Sequence, residues 1–249
     1  MNELTQKRIL IFIPAYNVEK QILRVLRKIP LEKLNNHFIR ILIIEDNSKD
    51  KTRQVAEDYL KEVKNNNLME LIKNERNHGY GGVQKIAFNY ALRNNFDYVI
   101  MLHGDDQYEP EKIPEFITNL LNSDADAVFG SRFINPKEPL KNGMPLNRYI
   151  GNRAVTFIQN LIVGTKMTEF HSGYRSYKID VLKKINFEKN SNDFYFDSEI
   201  IVQMIKSKFI IKEIPIATIY ADEVSNLKPI PYGINVLIST VKYKFFYKD

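Results

Sequence analysis

The stretch YVIMLHGDDQYEP, residues 98–110, joins a short apolar run to a cluster of polar side chains. The continuous apolar residues 98–102 predict a strand that is buried on both faces of a sheet. His103, Asp105 and Gln107 follow directly. Open α/β sheets bind ligands at the carboxyl ends of their strands, and hard cations with bound phosphates take oxygen ligands, so this stretch predicts a metal–phosphate site. An acidic loop that caps the next helix is the alternative interpretation.

Apolar runs and helical patterns alternate along the rest of the chain. We predict strands at residues 8–13, 39–44, 69–72, 98–102, 127–130 and 210–216, and helices at residues 18–29, 50–63, 82–92, 113–121, 148–163 and 196–208. This alternation is typical of an α/β fold, in which a mostly parallel sheet is flanked by helices on both faces. Residues 135–146 contain three prolines and one glycine and are expected to form a mobile loop, and residues 165–174 a polar turn. No internal repeat or clean linker is visible, so one domain is expected.

Composition narrows the classes of function. The net charge of +6 and the pI near 9.2 favour an anionic partner. The 36 basic residues are interspersed with 30 acidic ones and form no nucleic-acid motif, so no nucleic-acid partner is expected. The sequence shows no run of about 20 apolar residues, no signal peptide and no cysteine. We therefore expect a cytoplasmic protein without a spanning helix, a disulfide or a thiolate metal site.

Polar residues also follow the first two predicted strands. The first ends in PAYNVE, residues 14–19, which lacks the glycine fingerprint of dinucleotide-binding folds, and no GxxxxGK[ST] loop is present. A nucleotide must therefore bind by another geometry. The second ends in EDNS, residues 45–48, where a carboxylate can accept hydrogen bonds from a base or ribose, although helix capping is an alternative. The glycine-rich NHGYGG, residues 77–82, precedes a helix and offers either backbone amides for an anion or a tight helix entry.

Taken in order, the motifs PAYN, IIEDNSKDKT, NHGYGG, HGDDQYEP, GSR, HSGYRSYK and FDSE resemble those of glycosyltransferase family 2. Within it they are most similar to the dolichol- or polyprenyl-phosphate mannose synthase group, over about residues 8 to 225. The resemblance implies a single GT-A domain over residues 1–249, with a nucleotide-sugar-binding half to about residue 130. Residues 131–249 would form the acceptor half and a C-terminal helical tail.

The implied activity is inverting transfer of a sugar from a nucleotide-sugar donor, GDP- or UDP-linked, to an acceptor. The acceptor is a polyprenyl phosphate or a saccharide such as a cell-surface glycan precursor. A non-catalytic nucleotide-sugar-binding protein is the alternative, because the metal motif departs from the family pattern. Positions that match the family's nucleotide contacts are Pro14, Ala15, Tyr16, Glu19, Asp46 and Asp105.

The metal motif of the family is Asp-x-Asp, often followed by x-Gln, and here it reads His103-Gly-Asp105-Asp-Gln107. Alternate residues can face one side of an extended chain, so His103, Asp105 and Gln107 are the predicted metal ligands, while Asp106 is expected to point away. His103 replaces the first aspartate. Neutral histidine suits transition metals better than Mg²⁺, and the lost charge weakens the grip on a hard cation. We therefore expect a divalent metal, with Mn²⁺ favoured over Mg²⁺.

Four further residues match catalytic positions of the family. Arg132 and Arg175 correspond to arginines beside donor or acceptor phosphates, which a planar guanidinium can bind with two hydrogen bonds. Asp197 is the first candidate for general base and Glu199 the second. A phosphate acceptor is already ionised and needs no strong base, whereas a sugar hydroxyl does.

The tail, residues 241–248, interleaves aromatic residues with lysines. Such a segment can lie at an anionic interface, which predicts peripheral contact with the inner face of a membrane. The alternative is a terminal helix that packs Leu237, Val241 and Phe245 on the core, with its lysines in water.

Overall fold

The computed structural model of the chain describes residues 6–63, 68–218 and 229–246, without the side chains of residues 229 and 230. Its strands are β1 (Arg8–Ala15), β2 (Phe38–Glu45), β3 (Met69–Lys73), β4 (Tyr98–Met101), β5 (Ala127–Ser131), β6 (Arg175–Lys178) and β7 (Ile211–Pro215). In the described residues these seven strands form one sheet in the order β3-β2-β1-β4-β6-β5-β7. All strands except β6 run in the same direction.

Helices cover both faces of this sheet. They are α1 (Ile22–Lys28), α2 (Thr52–Glu62), α3 (Gly79–Arg93), α4 (Ile113–Asn122), α5 (Glu138–Lys141), α6 (Leu146–Val163), α7 (Ile179–Lys184), α8 (Phe196–Lys206) and α9 (Pro229–Val241), which a π-helical turn (Lys242–Phe246) extends. Within the described ranges, no helix combines the length and apolarity that a membrane crossing requires.

Strand β1 shows how the core is divided. Ile9, Ile11 and Ile13 lie in the apolar cluster that α1, α2 and α4 cover, whereas Leu10 and Phe12 lie in the cluster under α3, α7 and α8. Successive side chains of a strand point to opposite faces, so a strand with helices on both sides must be apolar throughout. The predicted α/β fold with a mostly parallel sheet and helices on both faces is confirmed.

Two sequence predictions in the second half of the chain were wrong. Strand β6 was missed because its sequence, RSYK, is not an apolar run, although its first three residues are buried. Residues 135–146 were expected to form a loop, yet they contain the single helical turn of α5. For the tail, the predicted packing of Val241 and Phe245 on the core is also wrong, because both side chains are exposed. Residues 247–249 lie outside the described residues.

The carboxyl ends of β1, β2 and β4 lie side by side, because these strands are neighbours and parallel. The loops after β1 and β2 are joined by hydrogen bonds from Asn17 N to Ser48 Oγ (3.1 Å) and from Val18 N to Thr52 Oγ1 (2.7 Å). Asn47 has a φ of 58°, in the left-handed region that favours glycine or asparagine, and so turns the chain directly after Asp46. This edge of the sheet carries the predicted site.

Candidate active site

His103 and Asp105 face each other just beyond β4. His103 Nδ1 lies 3.8 Å from Asp105 Oδ2, and the Gln107 backbone N–H donates to Asp105 Oδ1 at 3.1 Å. Burial raises the pKa of Asp105, but His103 and backbone N–H groups lower it more, so the net pKa lies below its usual value. The Asp105 carboxylate is therefore anionic at neutral pH.

The Asp106 carboxylate is directed at α1 and not at this pair, although a turn at residues 104–106, not the alternation of an extended strand, separates them. Its carboxylate accepts hydrogen bonds from Arg24 Nε at 2.9 Å and Lys28 Nζ at 3.0 Å, both on α1. The backbone of Asp106 has a φ of 59°, which turns the chain at this residue. Asp106 therefore fixes the loop to α1 and does not join His103 and Asp105.

Packing fixes the orientation of the His103 ring. Tyr108 meets it edge-on with ring centroids 5.2 Å apart, and the Tyr80 ring lies 5.7 Å away. A methyl group at Gly173 would lie 2.2 Å from His103 Nε2, so only glycine fits there without moving the ring. Nε2 is buried and has no hydrogen-bond partner in the described part of the chain, while Nδ1 faces Asp105.

The His103–Asp105 pair can hold a divalent cation together with a phosphate-bearing ligand. Two metal–ligand bonds of about 2.1 Å span up to about 4.2 Å, so donor atoms at this separation can reach one ion. The described residues contain no group of three or more His, Cys, Asp or Glu side chains suited to a metal. Ions such as Mg²⁺ are commonly bound by one or two protein carboxylates plus substrate phosphates, so this small donor set fits. The predicted contact through the Gln107 side chain stays a prediction.

Asp46 holds the glycine-rich loop in place. Its carboxylate accepts hydrogen bonds from Asn74 Nδ2 (2.7 Å), His78 N (2.9 Å) and Gly79 N (3.0 Å), and Gly81 N donates to Asn192 O at 2.8 Å. These amides are used within the protein. The loop therefore serves the tight entry into α3, and the alternative role as an anion cradle is not supported by this geometry.

The remaining predicted nucleotide contacts surround the same edge. Ala15 is buried and its carbonyl accepts Asp46 N at 2.9 Å, while the Pro14 carbonyl accepts Gly104 N at 3.2 Å. The Tyr16 ring is exposed beside them. Glu19 lies farther out, where its carboxylate accepts the backbone N–H of Lys51 at 2.8 Å.

Arg132 and Glu169 form a buried ion pair. The Glu169 carboxylate accepts hydrogen bonds from Arg132 N at 2.7 Å and Arg132 Nε at 2.8 Å, and it also contacts Nη2. Both side chains are almost inaccessible to solvent. This arrangement joins the end of β5 to the segment before β6.

Arg175 lies inside the protein and is directed at backbone carbonyls. Its guanidinium donates to Ser172 O (2.6 Å), Phe170 O (2.7 Å) and Asp197 O (3.2 Å), and its side chain is 1% exposed. This placement differs from the predicted contact with a phosphate, because the donors of Arg175 are already used. Arg175 instead fixes the loop that carries Gly173 behind His103.

Asp197, at the start of α8, ties that helix to α3. Its carboxylate accepts hydrogen bonds from Tyr80 Oη at 2.7 Å and Gln84 Nε2 at 2.9 Å, and it lies 3.5 Å from Arg175 Nη2. These contacts already engage the Asp197 carboxylate inside the protein. Tyr80 also lies beside the His103 ring and so links Asp197 to His103.

Glu199 lies two residues farther along α8, about half a helical turn from Asp197, and faces α9. Its carboxylate accepts hydrogen bonds from Ser191 N at 2.7 Å and Ser239 Oγ at 2.9 Å. Burial raises the pKa of Glu199, and these two hydrogen bonds lower it in part. The second candidate base therefore joins α8 to α9, away from the His103–Asp105 pair.

His171 was not singled out from the sequence, although the structure places it near the predicted residues Arg132 and Arg175. Its Nδ1 lies 3.0 Å from Tyr232 Oη on α9, and its Nε2 is buried without a partner among the described residues. Burial, together with the charges of Arg132 and Arg175, lowers the pKa of His171 to about 3. The imidazole is therefore neutral at physiological pH.

Comparison with known proteins agrees with this arrangement. The family model described as Glycosyl transferase family 2 matches residues 10–186. This chain is a family 2 glycosyltransferase. A relative in Methanococcus voltae, named UDP-N-acetylglucosamine–dolichyl-phosphate N-acetylglucosaminyltransferase, is 32% identical over 98% of this chain and 96% of its own length. The polyprenol monophosphomannose synthase of Mycolicibacterium smegmatis is 22% identical over 84% of this chain and 77% of its own.

Solved structures show that the family 2 chain has the predicted GT-A fold. Glucosyl-3-phosphoglycerate synthase from Mycobacterium tuberculosis, in complex with Mn²⁺, UDP and phosphoglyceric acid, superposes with a TM-score of 0.70 at 13% identity. The match covers 98% of this chain and 80% of that one. The same enzyme in complex with Mg²⁺ and UDP gives a TM-score of 0.69 at 12% identity, over 98% of this chain and 81% of that one.

Several residues that support the predicted site of this glycosyltransferase were not predicted. Tyr80 and Gln84 lie far from Asp197 in the chain and contact it only after folding, whereas Tyr108 packs on the nearby His103 ring. His171 and Tyr232 contact each other across 61 residues of the chain. Tyr80 and Tyr108 lie in two of the motifs given above, NHGYGG and HGDDQYEP. An aromatic residue close to predicted ligands in the sequence was the one signal that could have identified them. His171 likewise lies in one of these motifs, as the first residue of HSGYRSYK.

Proposed function

We propose that this chain transfers a sugar from a UDP-sugar to a polyprenyl phosphate, with inversion at the anomeric carbon. The observation that carries the proposal is the Asp105–His103 pair at the carboxyl edge of β4. It occurs in a chain that matches a UDP-N-acetylglucosamine–dolichyl-phosphate transferase along nearly its whole length. The UDP complexes of the structural neighbour support the choice of UDP over GDP.

His103 Nδ1, Asp105 and the Gln107 side chain would hold the divalent cation. When bound, the cation neutralises charge on the donor's two phosphates, which makes the nucleoside diphosphate a better leaving group. Asp105 supplies the carboxylate, and the packing of Tyr108 and Gly173 fixes His103. The UDP moiety would lie along Pro14, Ala15, Tyr16, Glu19 and Asp46, as the family resemblance implies.

The state of the two candidate bases favours a phosphate acceptor. Asp197 already accepts hydrogen bonds from Tyr80 and Gln84, and Glu199 from Ser191 and Ser239. Neither carboxylate is arranged to take a proton from a sugar hydroxyl, whereas an ionised phosphate oxygen attacks without a strong base. Asp197 and Glu199 then act as positioning residues, together with Arg132 and Arg175, which shape the acceptor side of the cleft.

The proposal is tested by nucleoside diphosphate release from a panel of UDP- and GDP-sugars with Mn²⁺, with and without a short polyprenyl phosphate in detergent. We expect release from one UDP-sugar that rises when the lipid phosphate is added. Release that does not change when the lipid is added would contradict a polyprenyl phosphate acceptor and indicate a saccharide acceptor. Calorimetric binding of a donor without turnover on any acceptor would instead favour the non-catalytic nucleotide-sugar-binding alternative.

We expect Mn²⁺ to support transfer at a lower concentration than Mg²⁺, because a neutral imidazole is a better ligand for the softer transition metal. His103→Asp, which restores the family's Asp-x-Asp, should shift the preference toward Mg²⁺. The measurement is the metal concentration that gives half-maximal release for each ion.

Asp106→Asn is the matched control for the metal preference, because Asp106 faces Arg24 and Lys28 and lies outside the ligand set. Its Mn²⁺/Mg²⁺ ratio should equal that of the wild type. An equal requirement for both ions in the wild type, or a ratio that His103→Asp leaves unchanged, would show that His103 does not bind the metal.

A further inference from the structure

Helix α6 has the reverse of the usual arrangement of polar and apolar residues. A surface helix normally buries its apolar stripe and exposes its polar side. Here Ile150, Phe157 and Leu161 are exposed, by 57%, 64% and 68%, while Thr156 and Gln159 are buried. The exposed stripe follows helical spacing and is therefore a continuous surface, not a set of scattered side chains.

Helix α9 and the π-helical turn after it show the same reversal. Ile234, Ile238 and Phe245 are exposed, whereas Ser239 and Thr240 are buried. The buried polar groups are satisfied inside the protein, since Ser239 Oγ donates to Glu199 and Thr240 Oγ1 donates to Val236 O. Polar groups inside and apolar groups outside are a stable arrangement only if something apolar covers the outer surface.

The two exposed stripes lie next to each other. Gln159 Nε2 of α6 donates to Thr240 Oγ1 of α9 at 3.0 Å, and Lys244 Nζ donates to Val163 O at 3.2 Å. The contacts advance in the same direction along both helices, so the helices run side by side. We call their common outer surface the α6–α9 face, formed by Leu146, Ile150, Phe157, Ile158, Leu161, Ile234, Ile238, Val241, Phe245 and Phe246.

The charged residues within the two helical segments of the α6–α9 face are all positive. Residues 146–163 and 229–246 contain no aspartate or glutamate, although the chain has 30 acidic residues in total. The same segments contain Arg148, Arg153, Lys242 and Lys244. An apolar stripe bordered by lysine and arginine is the composition that lies in the interface of an anionic lipid bilayer.

We propose that the α6–α9 face docks on the surface of an anionic lipid bilayer, with its apolar side chains among the acyl chains and its basic residues at the headgroups. This inference rests on the proposed function for the identity of the acceptor and extends the predicted tail contact to α6. Helix α9 also contacts predicted acceptor-side residues, because Ser239 Oγ donates to Glu199 and Tyr232 Oη lies 3.0 Å from His171 Nδ1. Docking through this face therefore places the part of the chain that carries Glu199 and His171 beside the bilayer.

The test is co-sedimentation of the full chain with vesicles of phosphatidylcholine mixed with phosphatidylglycerol, with no donor and no polyprenyl phosphate present. Leu161→Glu and Ile238→Glu each place a charge in the centre of one stripe, and we expect each to weaken binding by about tenfold or more. Ile210→Glu is the matched control, because Ile210 is 53% exposed outside this face. Its binding should equal that of the wild type.

Pure phosphatidylcholine vesicles should bind less protein than the mixed vesicles. The proposal would be overturned if the wild type bound neither kind of vesicle, or if all three variants lost vesicle binding to the same extent. The proposal would also be overturned if the wild type did not bind vesicles but formed a dimer in sedimentation velocity that Leu161→Glu dissociated. A second copy of the chain would then cover the α6–α9 face. Circular dichroism verifies folding, and the two variants on different helices serve as independent tests.

Donor turnover with detergent-dispersed polyprenyl phosphate separates the two proposals. Turnover without vesicle binding would refute docking and leave the proposed function standing. Vesicle binding without lipid-dependent turnover would support docking through the α6–α9 face and refute polyprenyl phosphate as the acceptor.

Discussion

Asp105→Asn is expected to lower the rate of sugar transfer by about 10²–10³-fold while the protein stays folded. The amide has the shape of the carboxylate and can still accept the hydrogen bond from the Gln107 backbone N–H. The substitution removes the negative charge that faces His103 at 3.8 Å and that would hold the cation under the donor's phosphates. The measurement is kcat for nucleoside diphosphate release at saturating Mn²⁺, with the unfolding transition recorded on the same preparation.

Asp106→Asn makes the same chemical change one residue away and is the control for Asp105→Asn. The Asp106 carboxylate faces Arg24 and Lys28, where partly exposed ion pairs contribute little to stability. We expect its rate to stay within a few-fold of the wild type. Wild-type-like transfer by Asp105→Asn would refute the metal assignment, and an equal loss in both variants would indicate that the loop's shape, not the ligand, had changed.

The fold could be predicted where a strand is buried on both faces. The core of β1, β2 and β4 reads as a continuous apolar run in the sequence, and parallel neighbours follow from the helices between them. Strand β6 gives no such signal, because Arg175 and Ser176 occupy its buried positions. The Ser176 hydroxyl donates to Val128 O, 48 residues away, and no local sequence pattern indicates a partner at that distance. Arg175 donates to the nearer carbonyls of Phe170 and Ser172, which its sequence context does not indicate either.

The site was predictable to the extent that it depends on local geometry. Asp106 was expected to lie apart from His103 and Asp105, and its carboxylate does contact Arg24 and Lys28, but the cause is a left-handed turn at Asp106 and not the alternation of an extended strand. The family resemblance named Arg175 and Asp197, but it could not show that their hydrogen-bonding capacity is used inside the protein. Tyr80, which lies 117 residues before Asp197, meets it only because α3 and α8 pack together.

The outward orientation of the apolar side of α6 could not be predicted, for a different reason. Its helical periodicity is visible in the sequence, and a helix was predicted at residues 148–163. Periodicity shows that a helix has an apolar side but not whether that side faces the core. Only the burial of Gln159 and Thr156 and the exposure of Phe157 reveal that the apolar side points outward.

Glu169→Gln is expected to reduce the free energy of unfolding by about 3 kcal/mol or more, because it deprives a buried guanidinium of its carboxylate. Arg132 and Glu169 are both buried, and the carboxylate accepts from Arg132 N and Nε. Urea unfolding measures the effect, which should lower the midpoint without changing the slope.

The double variant Arg132→Met/Glu169→Leu discriminates between the charge and the shape of this pair. Replacing a buried ion pair by apolar side chains is often neutral, since neither charge then has to be removed from water. We therefore expect the double variant to be more stable than Glu169→Gln, even though it has lost more hydrogen bonds. If Glu169→Gln lies within about 1 kcal/mol of the wild type, or if the double variant is the less stable of the two, the pair is held by its hydrogen-bond geometry and not by burial of opposite charges.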